Sequence, residues 1–150
     1  MAHLDRLVQY KLFTPEEANA ALPLVRAIAA DLSRLCQDVV ERRQRLTFLM
    51  ERRSPTGRGP YEEELAQVEE ELERDSSRLQ EYVDELRQLG VEPKSPIEGL
   101  VDFPAMLDGR LVYLCWKLGE PEVGYWHELE AGFQGRQPLP EKAATTGSRS

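Results

Sequence analysis

Ser54-Pro55-Thr56-Gly57-Arg58-Gly59-Pro60 decides the fold, because its glycines and prolines break any helix while the same apolar rhythm runs on both sides of it. Before the break, Val25, Ile28, Leu32, Leu35, Val39, Leu46 and Leu49 follow a 3,4 alternation, with Arg42 at the one anomalous position. After it, the alternation returns at Leu65, Val68, Leu72, Leu79, Tyr82, Leu86 and Leu89, with Asp75 as the second anomaly. Folding the chain back about Gly57 pairs the stripes layer by layer, from Val25 with Leu89 to Leu49 with Leu65. The paired stretch is then an antiparallel coiled-coil hairpin roughly 35 Å long, at about 1.5 Å of rise per residue. Arg42 and Asp75 fall in adjacent layers and are expected to meet, either as a buried polar switch or, as the reading favours, as a pair that fixes helix register.

The ends of the hairpin carry their own signals. Thr14-Pro15-Glu16-Glu17 supplies an N-cap oxygen, a proline at N1 and a glutamate at N3 that reaches back to the cap. Pro23 lacks an N–H and is expected to kink this helix or to start the main one. Arg42, Arg43, Arg45, Arg52 and Arg53 could be taken for a basic tip, but Glu62, Glu63, Glu64, Glu69, Glu70, Glu71 and Glu73 face them across the turn, so mutual neutralisation is the favoured reading. Leu89-Gly90 closes the second helix, and Pro93 and Pro96 extend the connector that follows.

The period then changes from 3.6 to 2. Residues 100–107, 110–118 and 123–129 read as three strands, with Asp108-Gly109 as a type I′ turn and Gly119-Glu120-Pro121-Glu122 as a longer one. Residues 10–13 are a candidate for a further short strand. Counting from the turns sets Phe103 against Leu114, Val101 against Trp116, Tyr125 beside Trp116 and His127 beside Leu114. That register packs Val101, Phe103, Ala105, Val112, Leu114, Trp116, Leu118, Val123 and Tyr125 on the hairpin base. It leaves Asp102, Tyr113, Cys115, Lys117, Trp126 and Glu128 on the opposite, exposed face, with His127 turned away from Cys115. The fold class is therefore α+β, mostly α: a long antiparallel coiled-coil helical hairpin (14–53 and 60–89) with a small C-terminal three-stranded antiparallel β-meander (99–130). One domain over 1–139 and a disordered tail over 140–150 complete the expected organisation.

A chain of 150 residues with a net charge of −8 does not attract polyphosphate, so nucleic acid is disfavoured as a partner. The N-terminus lacks the regions of a signal peptide, and no apolar run reaches the roughly 18 to 20 residues of a membrane span, so a cytoplasmic protein is expected. Cys36 and Cys115 form neither a C-x-x-C pair nor a disulfide framework. No nucleophile elbow, phosphate-binding loop, H-E-x-x-H or zinc-finger spacing occurs, so no standard enzyme site and no cofactor can be named.

Two functional readings follow. The first is a noncatalytic interaction module, in which the arm and the Tyr113, Lys117 and Trp126 face engage a protein partner or a second copy. The alternative is a small-ligand or metal-binding protein, an enzyme being one form of it, with Asp102, Cys115, His127 and Glu128 as metal candidates and Arg136 as an anion contact. The register argues against the metal set, because it parts His127 from Cys115.

Phe13-Thr14-Pro15-Glu16-Glu17-Ala18-Asn19, Gly99-Leu100-Val101-Asp102-Phe103-Pro104-Ala105, the run from Leu114 through Trp116 to Val123, and Tyr125-Trp126-His127-Glu128 together resemble a bacterial family of uncharacterised proteins, domain of unknown function 2203. The resemblance spans about residues 10–139. It implies a bacterial cytosolic protein, supplies no activity, and centres its signature on the meander.

Overall fold

The computed structural model describes residues 11–140, so Tyr10 and the tail beyond residue 140 lie outside the described residues. Two helices, α1 (Pro15–Glu51) and α2 (Glu62–Gln88), form the hairpin. Thr14 accepts from the Glu17 N–H while the Glu17 carboxylate accepts from the Thr14 N–H, the full capping box. Pro23 lies inside α1, which runs on as one helix and does not restart there.

Apolar residues of the alternation are buried in two clusters. At the tip, Leu49, Leu65 and Val68 are buried with Leu46 and Leu72 against them. At the base, Val25, Ile28, Leu32 and Leu86 join the main core. Between the clusters Arg42 Nη1 donates to Asp75 Oδ2 at 2.6 Å, with Arg42 Nε 3.4 Å from Glu71, so the two anomalous residues meet. Arg45 forks onto Glu64 at 2.7 and 2.8 Å, one of the neutralising contacts across the turn.

The meander has five strands, not three: β1 (Glu92–Ser95), β2 (Leu100–Leu107), β3 (Arg110–Lys117), β4 (Tyr125–His127) and β5 (Gln137–Pro138), antiparallel and in chain order across the sheet. The two additional strands are short edge pieces rich in proline, which carries no alternation signal. Phe13 donates its N–H to Pro104 O at 2.7 Å beside β2, and the described residues of the candidate further strand, 11–13, are not in a strand. Asp108 and Gly109 turn the β2–β3 hairpin with φ of 53° and 76°, as a type I′ turn requires. Gly99 has φ of 70°, and a Cβ on it would lie 2.5 Å from the Leu118 Cβ, so no larger residue fits that approach.

One face of the sheet packs on the base of the hairpin. Phe103, Leu114 and Trp116 are fully buried there, and the Phe13 ring meets Phe103 edge to face at 5.1 Å. Asn19 of α1 holds the β3–β4 connector by accepting from the Val123 N–H at 2.7 Å and donating to the Val123 carbonyl at 3.2 Å. No helix among the described residues is long and apolar enough to cross a membrane.

Candidate functional site

β2 and β3 keep the expected register, with Asp102 opposite Cys115, but β4 is displaced by one residue. Cys115 pairs with Tyr125, Leu114 with Trp126 and Tyr113 with His127, where Trp116 with Tyr125 and Leu114 with His127 were expected. The cause is the connector. The Trp116 indole N–H donates to Glu120 O, the Lys117 N–H to the Glu120 carboxylate, and Val123 is held by Asn19, so pairing starts only at Tyr125. Because side chains alternate, a slip of one residue exchanges the two faces of the whole strand.

Trp126 accordingly turns into the core, with 9% of its surface exposed, and is no solvent-facing anchor. His127 turns to the face of Asp102 and Cys115, and all three are buried, with at most 1% of each exposed. Burial also overturns the expected exposure of Asp102 and Cys115. Glu128 does not join them through its carboxylate, which goes to Arg110 at 2.8 Å. Its part in the site is its backbone carbonyl.

That carbonyl lies 2.7 Å from His127 Nδ1. A carbonyl only accepts, so Nδ1 carries hydrogen and Nε2 is left to face Asp102 Oδ1 at 3.1 Å. A proton between Nε2 and Oδ1 satisfies both atoms. Asp102 Oδ2 is buried with no hydrogen-bond partner among the described residues, and such an orphan requires a reason. Burial raises the Asp102 carboxyl above the ordinary carboxylate range, opposed by His127 and by the charge of Lys94. Burial, with the charge of Asp102 adding to it, pushes the Cys115 thiol up to about 11, and Arg136 only partly offsets this. A protonated, enclosed thiol is a poor nucleophile.

One ligand atom from each of Asp102, Cys115 and His127 lies within 4.8 Å of the other two. A tetrahedral zinc ion holds nitrogen, oxygen and sulfur ligands about 3.3 to 3.5 Å apart; the 3.1 Å between Nε2 and Oδ1 is already near that span, and Cys115 Sγ lies within 4.8 Å of both partners. A histidine whose Nδ1–H is tied to a carbonyl while Nε2 faces the centre has the orientation of a metal ligand.

The other candidates surround this group. Tyr113 is half-buried, its ring centroid 5.6 Å from that of His127. Lys117 extends over the Phe133 ring at 5.3 Å. Arg136 Nη1 lies 3.9 Å from Cys115 Sγ, and its Nη2 bonds the Glu120 carboxylate. Arg42 and Asp75 sit apart, in the arm. Glu120 and Phe133 were not anticipated, because a turn glutamate and a loop phenylalanine have no periodicity to mark them.

The model of the uncharacterized conserved protein family, domain of unknown function 2203 (DUF2203), matches residues 11–139. The chain belongs to that family. Its match takes in the whole DUF2203 hairpin and meander, including the three buried polar residues and Arg136. This DUF2203 protein matches no curated protein and no solved structure.

Proposed function

We propose that this protein binds a transition metal ion, zinc being the best chemical fit, through Cys115, His127 and Asp102. The observation that carries the reading is the buried convergence of a thiol, an imidazole nitrogen and a carboxylate with one oxygen unpartnered. Without an ion, burying Asp102 in this way costs about 1 to 3 kcal/mol for the unsatisfied oxygen alone. With one, the carboxylate and thiolate each neutralise part of its charge. Three protein ligands leave one position for an external ligand, the pattern of reactive sites more than of closed structural ones.

The test is metal analysis of the untagged full chain after dialysis against zinc. About one equivalent is expected in the wild type, with loss in Cys115→Ser and Asp102→Ala while helical circular dichroism is retained. A wild type that holds no stoichiometric metal ends the proposal.

Self-association through the arm is the second reading. What favours it is apolar surface along the arm, where Val40 and Met50 are more than two-fifths exposed and Leu46 and Leu72 are half-buried. Sedimentation should then show a concentration-dependent dimer, and a strict monomer at high concentration would exclude it.

A further inference from the structure

The position left open on a three-ligand metal would have a cationic border, in a chain whose net charge is −8. Arg136 touches both the buried thiol and solvent: Nη1 is 3.9 Å from Cys115 Sγ, and the side chain as a whole is 17% exposed. Its guanidinium is held between two aromatic rings, 3.9 Å from the Tyr125 centroid and 4.2 Å from that of Phe133. Lys117 stands over the same Phe133 ring at 5.3 Å. On the other side Lys94 lies over Tyr113 at 5.4 Å, close enough for its charge to act on Asp102.

Arg136 already holds a carboxylate. Its Nη2 bonds Glu120, whose other oxygen accepts from the Lys117 N–H at 3.0 Å. Among the described residues Nη1 bonds only the Cys115 sulfur, a weak acceptor, at 3.9 Å, on the side of the metal ligands. A planar guanidinium fork fits a carboxylate in two parallel bonds.

We propose that the metal-bound protein takes a small carboxylate as its external ligand, with Arg136 exchanging Glu120 for the incoming group. Glu120 acts as the internal occupant that the ligand displaces. Lys117 and Lys94 add attraction without a fixed bond. The proposal rests on the metal reading, because the second anchor of the carboxylate is the ion itself.

Cobalt(II) in place of zinc gives both steps a spectrum. The full chain titrated with cobalt should develop a thiolate-to-cobalt charge-transfer band, and acetate added to that form should shift the visible bands. Arg136→Met should keep the charge-transfer band and weaken acetate about tenfold or more, the loss expected of one charge-assisted contact. Glu120→Gln, which keeps the oxygen that accepts from Lys117, should tighten acetate by removing its competitor. Cobalt binding with bands unmoved by saturating acetate overturns the carboxylate proposal and leaves the metal reading standing. Equal acetate affinity in wild type and Glu120→Gln also overturns it, whether or not Arg136→Met folds. Absence of the charge-transfer band brings down both.

Discussion

The arm and the meander solve the placement of polar groups in opposite ways. In the arm every charged pair stays at least partly wet: Arg42 with Asp75 and Glu71, and Arg45 with Glu64, all lie on the flank of a two-helix ribbon too thin to enclose them. In the meander Asp102, Cys115 and His127 are buried, and one carboxylate oxygen has no partner among the described residues. Exposed pairs contribute little, typically below about 1 kcal/mol, and need no purpose beyond solubility and register. Sealed, incompletely satisfied groups are costly, and natural chains keep them where they perform a task. The contrast favours the sheet over the arm as the place of the proposed site.

Truncation of the two cores gives the largest expected contrast. Phe103 is fully buried at the junction of helix and sheet, so Phe103→Ala should cost about 3 to 5 kcal/mol. Leu72 in the arm is half-buried against the tip cluster, and Leu72→Ala should cost about 1 kcal/mol. Both tryptophans, Trp116 and Trp126, lie in the meander, so fluorescence during denaturation follows that region while helical circular dichroism follows the arm. Similar losses for the two variants would mean that the arm is as tightly packed as the meander, and the contrast would fail.

The same division governs how much could be read from residues alone. The hairpin was legible because a 3,4 alternation fixes a helix face over many turns, and an error at one position is corrected by the next. The break at Ser54 to Pro60 and the capping box at Thr14 supplied the ends. In the sheet, β2 and β3 were legible for a comparable reason, since a two-residue turn at Asp108-Gly109 leaves one register. β4 was not. Its connector is ordered by Asn19, from a helix more than a hundred residues earlier, and by the Trp116 indole, and neither contact has a local signal. A slip of one residue was enough to part His127 from Cys115 and to set Trp126 in solvent. The residue types of the site were visible in the sequence, while their convergence depends on a long-range hydrogen bond. Arg136 was legible only as a cation near the sheet, because its aromatic and Glu120 partners lie in loops.

The Arg42–Asp75 pair offers a smaller but sharper test of the arm. Its 2.6 Å contact joins a guanidinium that is about one-third exposed to a carboxylate only 13% exposed. Arg42→Leu leaves that carboxylate without its partner and should cost about 1 to 2 kcal/mol, reduced by access to water at the flank. Replacing both residues with leucine joins the tip and base clusters into one seam, and should return the stability to the wild-type value or above it. If register is what the pair provides, the double variant should be stable yet less uniquely paired, which disulfide trapping between cysteines placed at Leu46 and Leu72 would detect as extra cross-linked forms. A double variant that is as destabilised as the single one would mean that the charges interact with something beyond each other. The arm would then share the character of the meander, and a polar site would have to be sought there as well.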